Sequence, residues 1–473
     1  MHINPTPADF AFALLIAVAI LVLPLCRPLT QWKLAAGAML ALFLWNLTFP
    51  GHLQLTSRNV LTSDPFFATL LAIAIWRLLR GFLSRPYSII LLALALLAGV
   101  SLARGFHTFG LTTGMAGDFR YFFNFLSSAL FAASFPLSAR YFRPIAKMVL
   151  GTVVFMLLIV AWRWAALLGG IYIPEVMMRV GIATPLRVID SDQALFLVQA
   201  FFIILFLSSS RLTLVPLAAI TGIVIVVLQH KTDWSITAAG LFIYLLCDRQ
   251  LRGRVMLFAG KTVVIAGLVI LASSSLATLV MQHITNSTEA LEHRRSSTFV
   301  WRVTGWNSLL EDFINADAGS QVIGLPFGSG YARSIDNSVV DAHPHNFYVQ
   351  TLLRTGVAGL LLFLLFYWAL GSRLVREGLS GSVLSSAEFA LWSVLFMSQL
   401  LYYLTYPPSP EQGTVVGCIV AMLVQKRARP RSQVPYLRPV EPPLFPAEER
   451  PRVAPAARAV AHSPVTVDDS PQD

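Results

Sequence analysis

Charged residues are scarce in this sequence: Asp, Glu, Lys and Arg make up 12% of its 473 residues, about half their share in an ordinary soluble chain. With 56% of residues apolar and a mean hydropathy of +0.67, a soluble globular protein is excluded, as are collagen, coiled coil and disorder as the main class. Cysteine is scarcer still. Cys26, Cys247 and Cys418 each sit within or at the end of an apolar run, and no C-x-x-C spacing occurs, so neither a disulfide framework nor a zinc site is indicated. Lys and Arg are missing from Met1 to Asp9, whereas a secretory signal peptide starts positively charged, so the first apolar run is expected to be a retained span. No internal repeat is visible.

In place of charge the sequence has long apolar runs. A spanning helix takes about 20 mostly apolar residues. Windows bounded by charge, Pro or Gly predict helices at 9–26, 34–50, 60–79, 86–103, 119–137, 146–168, 192–208, 212–229, 233–247, 262–281, 346–370, 384–405 and 411–425. The expected fold is an all-α polytopic membrane protein with about 12–13 transmembrane helices. The formal charge of +11 would suggest nucleic acid in a soluble protein; here it is expected to reflect basic cytoplasmic loops, with no nucleic-acid partner. Sorted by loop, eighteen Lys and Arg fall on one side, among them Arg77, Arg80, Arg85, Arg373, Arg376 and Arg427. Six fall on the other: Arg58, Arg104, Arg120, Arg179, Arg187 and Lys231. This bias predicts the amino terminus outside and the carboxyl tail inside.

Two regions are not membrane. Gln282 to Pro344 is mixed in polarity, and the charge pattern places it on the outer face. Loops longer than about 15 residues are usually functional or disordered, and this one has Trp301, Trp306, Leu309, Leu310, Phe313, Phe327 and Tyr331 to pack as a folded cap. From Arg427 to Asp473 the chain holds ten of its 27 prolines and few large apolar residues, so a disordered cytoplasmic tail is expected. The expected organisation is residues 1–281 with ten helices, a large outer loop at 282–345, residues 346–426 with three helices, and the tail at 427–473.

A charge at membrane depth is costly and usually functional, and within the predicted spans Arg163 and Glu388 are the main exceptions to their apolar character. Polar groups gather instead in Asp341-Ala-His343-Pro-His345-Asn346, just before the eleventh predicted helix. Taken alone, these residues equally suit a solvated loop end, with His343 and Asn346 capping a helix. The string continues as His345-Asn346, nine residues, Gly356, two residues, Gly359, with Gln350 and Arg354 between. It resembles the H-N-x9-G-x-x-G signature of the O-antigen ligase and O-antigen and exopolysaccharide polymerase (Wzy-like) superfamily. Three further strings are similar to that superfamily's patterns. Arg302-Val-Thr-Gly-Trp306, followed by Gly324-Leu-Pro-Phe-Gly-Ser-Gly330, looks like its R-x-x-x-W helix and G-x-G turn. Gln229-His230-Lys231-Thr-Asp233-Trp234 lies where it has a basic residue shortly before a Trp, with Lys231 in place of the more usual Arg. Asp118-Phe-Arg120 resembles a basic position at the start of an earlier span. The resemblance covers roughly 118–370.

The resemblance implies a GT-C-like glycosyltransferase of the bacterial inner membrane, its site facing the periplasm. Its substrate would be a polyprenyl-diphosphate-linked oligosaccharide among membrane lipids, with flippase and chain-length regulator proteins as partners. A diphosphate leaving group needs fixed cations or a metal. Arg302, Lys231 and Arg120 all map to the outer side and are the candidate diphosphate ligands, although long basic side chains at helix ends also snorkel. An Arg fork grips phosphate oxygens through paired hydrogen bonds, whereas Lys231 is a point charge. Asp190-Ser-Asp192, the sole acidic pair of metal spacing on that face, suits a helix start, and no metal or cofactor is expected. His345 is the candidate base, since imidazole titrates near operating pH, and His343 is second to it. Asn346, Gln350 and His343 are candidates to hold sugar hydroxyls. Gly356 and Gly359 are expected to let helices pack closely, with Trp306 and Trp234 structural.

The expected reaction is inverting transfer of a glycan from polyprenyl diphosphate to a lipid-linked repeat unit, which is a polymerase. A ligase delivering the glycan to lipid A core would use the same residues. A lipid-linked sugar transporter or flippase is the alternative of another class, disfavoured by the lack of repeats and midplane charges.

Overall fold

Twelve of the thirteen predicted helices are present in the computed structural model. It describes residues 7–49, 61, 63–81, 85–110, 112–135, 139–171, 186–208, 212–247, 298–335, 338–380 and 384–427, all within the unit Met1–Tyr436. The helices are α1 (Pro7–Val22), α2 (Pro28–Thr48), α3 (Ser63–Leu79), α4 (Arg85–Phe109), α5 (Thr113–Ala133), α6 (Ala139–Leu168), α7 (Ser191–Ser208), α8 (Val215–Leu228) and α9 (Lys231–Cys247). After residues 298–346 come α12 (Phe347–Leu379), α13 (Ser386–Tyr403) and α14 (Pro410–Arg427). The predicted helix at 262–281, the loop start at 282–297 and the tail from 428 lie outside the described residues.

Among the described residues five helices are long and apolar enough to cross a membrane: Pro7–Leu25, Ile89–Phe109, Pro144–Leu168, Ser191–Ser208 and Phe347–Leu379. The outward faces of α1, α4 and α6 expose Leu14, Leu96, Leu158 and Trp162, side chains suited to lipid rather than water. The protein is an all-α polytopic membrane protein. The two charges that stood out within predicted spans turn out to tie backbone ends. Arg163 donates to the carbonyls of Val188 at 2.6 Å and Leu47 at 2.5 Å. Glu388 forms a capping box with Ser385 at the start of α13, so neither is a midplane charge of the kind a transport path needs.

Residues 298–345 fold as α10 (Thr298–Ile314), α11 (Ala318–Ile323) and an antiparallel hairpin of β1 (Ala332–Ile335) and β2 (Ser338–Asp341), which apolar periodicity did not foresee. Leu309, Phe313 and Tyr331 join Leu353 of α12 in one apolar cluster. The fifth helix starts at Thr113 rather than 119. Thr112 caps it through an acceptor bond from the Met115 amide at 3.2 Å, so Asp118 and Arg120 sit in its second turn. The polar Gly114-Met-Ala-Gly117-Asp118 stretch hid that turn from a hydropathy window. Where α14 meets α5, a Cβ on Gly413 or Gly417 would strike the backbone oxygens of Phe125 or Ala129. This small-residue seam lets two helices approach closely.

Gly356 packs closely against Val322 of α11, and its backbone has a second role. Within α12 it has φ +70° and breaks the helix, which frees the Leu353 carbonyl to accept from the Leu325 amide at 2.6 Å. A Cβ on Gly356 would strike the backbone of Val322 and Gly324, and one on Gly324 would strike that of Arg354. Gly359 lies against the side chain of Thr355 in its own helix. Gly356→Ala is therefore expected to cost at least about 2 kcal/mol through left-handed backbone and collision. Gly37→Ala, in α2 with nothing within 4 Å of the added Cβ, is expected to gain about 0.5–1 kcal/mol. Thermal melts of the two variants in detergent check the contrast.

Candidate active site

Arg302 and Trp306 are four residues apart on α10 and so share a face. Trp306 Nε1 donates to the Pro344 carbonyl at 2.6 Å, pinning the chain just before His345. Just after it, Asn346 caps α12 by accepting from the Val349 amide at 3.1 Å. Between these two pins His345 adopts left-handed backbone, φ +51°, which costs a non-glycine residue about 1–2 kcal/mol. Held strain of this kind clusters at functional sites.

The turn brings the His345 ring edge-on to Tyr406, centroids 6.2 Å apart, and the Arg302 guanidinium lies over the same Tyr406 ring at 5.4 Å. Tyr406 in turn stacks on Tyr402 at 5.1 Å, whose hydroxyl donates to Ser191 Oγ at 3.1 Å. Arg302 has no acidic or hydrogen-bonding partner among the described residues. Burial, followed by Arg302, His343 and Arg333, pushes the His345 pKa down to about 4, so its imidazole is neutral near pH 7. His343 lies behind it, edge-on to Tyr121 at 5.1 Å and tilted against Tyr331 at 5.2 Å. Its Nδ1 is buried without a hydrogen-bond partner among the described residues, and burial lowers its pKa too.

Beneath this turn is a polar knot. Arg354 is 1% exposed and Asp118 2%, and the Arg354 Nε donates to Asp118 Oδ2. The Tyr331 hydroxyl and Gln350 Nε2, the latter at 2.9 Å, donate to Asp118 Oδ1. The other Arg354 nitrogens donate to Ser329 Oγ at 2.5 Å and to the carbonyls of Pro326 at 3.3 Å and Gly330 at 2.8 Å. One arginine of α12 thus binds both α5 and the G-x-G loop. From α4, Arg104 donates to the Gly324 carbonyl at 2.6 Å and Ser101 to that of Leu325 at 2.8 Å. Arg333 holds the hairpin base through the carbonyls of Tyr331 at 3.0 Å and Ala342 at 2.5 Å.

The remaining candidates are spread more widely. Arg120 is gripped by Asp64 of α3 in a two-pronged pair at 2.7 and 2.8 Å. Lys231 is exposed as the first residue of α9. It follows a left-handed Gln229, φ +57°, whose carbonyl accepts from Arg187 at 3.0 Å. Trp234 donates to the Ile225 carbonyl at 3.1 Å. Asp190 and Asp192 flank Ser191, the first residue of α7. The Asn346 amide oxygen caps α12 and the Gln350 amide nitrogen is turned inward to Asp118, so two of the three residues expected to hold sugar have these groups already engaged.

Sequence reasoning gave no site role to Asp118, Arg354 or Tyr406, and to Tyr331 only a place in the packing of the loop. One signal was available: Arg354 lies in a predicted span, and a cation there requires a counter-charge. Arg354→Met, which leaves Asp118 as a buried unpaired charge, is expected to cost about 3–5 kcal/mol. The double variant Asp118→Leu/Arg354→Met should lose less than the sum of the single variants. Detergent melting temperatures of the set provide the check.

No curated protein matches the chain. Residues 195–364 match the model of the O-antigen ligase family, Wzy_C. The matched stretch runs from α7 to the broken part of α12 and includes Arg302, His345, Gly356 and Gly359, whereas Asp118 and Tyr406 lie outside it. Over residues 195–364 the chain therefore carries an O-antigen ligase (Wzy_C) domain, and it is in this domain that it is similar to the O-antigen ligases and Wzy-like polymerases.

Proposed function

We propose that the protein is a polysaccharide polymerase. It moves a growing glycan from polyprenyl diphosphate onto a lipid-linked repeat unit, at the periplasmic face of the bacterial inner membrane. The observation that carries this reading is the shared Tyr406 ring, which sets the neutral His345 beside Arg302, a cation with no partner among the described residues. In the reaction an acceptor sugar hydroxyl attacks the anomeric carbon as His345 takes its proton. The carbon–oxygen bond to phosphate breaks, and the polyprenyl diphosphate leaves with the bonding electrons. Attack from the side opposite the leaving group inverts the anomeric centre. Arg302 grips the leaving diphosphate, and fixed cations of this kind act without reorganisation in the transition state. Lys231 is a second candidate at the rim, whereas Arg120 would have to exchange Asp64 for phosphate.

An imidazole with a pKa of about 4 is a weak base in the empty site. A bound diphosphate offsets the Arg302 charge that depresses it, and thereby strengthens the base when substrate is present. The family description favours one second reading, a ligase that passes the glycan to lipid A core.

Purified protein with a polyprenyl-diphosphate-linked repeat unit separates the readings. Longer glycan from that single substrate supports the polymerase, and transfer only when a lipid A core acceptor is added supports the ligase. His345→Ala is expected to lower the rate about 10²–10⁴-fold and Arg302→Ala about 10²–10³-fold, and full activity in both would sink the site assignment. Chelator is expected to leave the rate unchanged. The acid limb of kcat/KM, which reports the free enzyme, is expected near pH 4 rather than near the ordinary histidine value. Removing Arg302 takes away a cation that lowers the His345 pKa, so in Arg302→Ala that limb should move to higher pH.

A further inference from the structure

Among the described residues, a cavity of about 670 Å³ opens at the end of α12 remote from His345. It is lined by Tyr87 of α4 and by Trp368, Ser372, Arg373, Arg376 and Glu377 of α12. From Phe347 to Arg376, α12 rises about 40 Å at 1.5 Å per residue, more than the roughly 30 Å of a bilayer's hydrocarbon core. The arginines therefore fall at headgroup level on the opposite face. Trp368, two turns earlier and 74% exposed, has the place and chemistry of an interfacial aromatic anchor.

The lining is matched to a phosphodiester. Arg376 is exposed with no acidic partner among the described residues. Arg373 is fixed by the Leu423 carbonyl at 3.0 Å and stands 3.9 Å from Glu377. Tyr87 is only 4% exposed and packs edge-on against Phe366 at 6.3 Å. Its hydroxyl makes no hydrogen bond among the described residues, and the residue lines the cavity. Two guanidinium groups, two hydroxyls and one carboxylate leave a net positive site with one acceptor for a headgroup hydroxyl. Basic pockets between helices at a membrane surface bind anionic lipid headgroups.

We propose that this cavity is a binding site for an anionic phospholipid. Its phosphodiester lies on Arg373, Arg376 and the Tyr87 hydroxyl, its glycerol headgroup donates to Glu377, and its chains run past Trp368. The site joins α4 and α12, the two helices that hold the G-x-G loop and the His345 turn at the far end. Occupancy thus braces the pair on which that turn rests.

The test is native mass spectrometry of the full chain, delipidated in detergent and titrated with phosphatidylglycerol, phosphatidylcholine or inorganic phosphate. Phosphatidylglycerol is expected to bind at least about tenfold more tightly than phosphatidylcholine, and to resist displacement by millimolar phosphate. Arg376→Ala should weaken it by about tenfold, the worth of one charge-assisted contact, and Arg373→Ala/Arg376→Ala should abolish the preference. Tyr87→Phe removes only a hydroxyl, and it should weaken binding without altering the fold, which circular dichroism monitors. Equal binding of the two lipids, displacement by phosphate, or unchanged affinity in the Tyr87→Phe and arginine variants would each overturn the proposal.

Discussion

The buried ion pair of Asp118 and Arg354 is the contact on which the end of the molecule around His345 depends. Neither charge is tolerable alone in a low-dielectric interior, where an unpaired ion costs several kcal/mol. The two groups are 236 residues apart in sequence, so their pairing commits α5 to α12. Arg354 also uses all three guanidinium nitrogens, which draws the Pro326–Gly330 loop and Tyr331 into the same knot. The loop cannot lift from the helices without stripping acceptors from a buried cation. A rigid floor beneath His345 follows directly from that cost.

The helix break at Gly356 makes the knot reachable. A continuous α12 would spend the Leu353 carbonyl on its own ladder, and any residue other than glycine at 356 would put its Cβ into the Val322 and Gly324 backbone. The break lets the loop dock edge-on against the helix, with Leu325 taking the freed carbonyl. Backbone hydrogen bonds lost inside an apolar helix must be replaced by partners in the protein, and here the replacement comes from the loop itself. Two left-handed residues, Gly356 and His345, therefore serve different ends. At Gly356 the conformation is cheap because glycine has no Cβ; at His345 it is held against its cost by Trp306 and the Asn346 cap.

Electrostatics then sorts the cations by what they already hold. Arg354 has Asp118, Arg120 has Asp64, and Arg104 and Arg333 have backbone carbonyls. Their charge is spent on building the frame. Among the described residues Arg302 rests on an aromatic face alone, and a cation–π contact leaves the guanidinium edge able to grip an anion. Burial first, and the same positive charge second, keep the nearby His345 unprotonated.

The amino-acid sequence by itself determined the helices, because an apolar run of about 20 residues has few other outcomes in a bilayer. It also determined that Arg302 and Trp306 share a helix face, since a spacing of four is a property of the helix alone. The His345-Asn346 string was legible as a helix start because capping is local. What only the tertiary structure decided was which polar groups remain available. Arg120 and Arg302 look alike in sequence, yet one meets Asp64 and the other meets Tyr406. Gln350 and Asn346 looked like sugar ligands, yet one faces Asp118 and the other caps its own helix. Partnership of a charge depends on which helices lie side by side, and hydropathy, which acts along one helix at a time, carries no record of its neighbours.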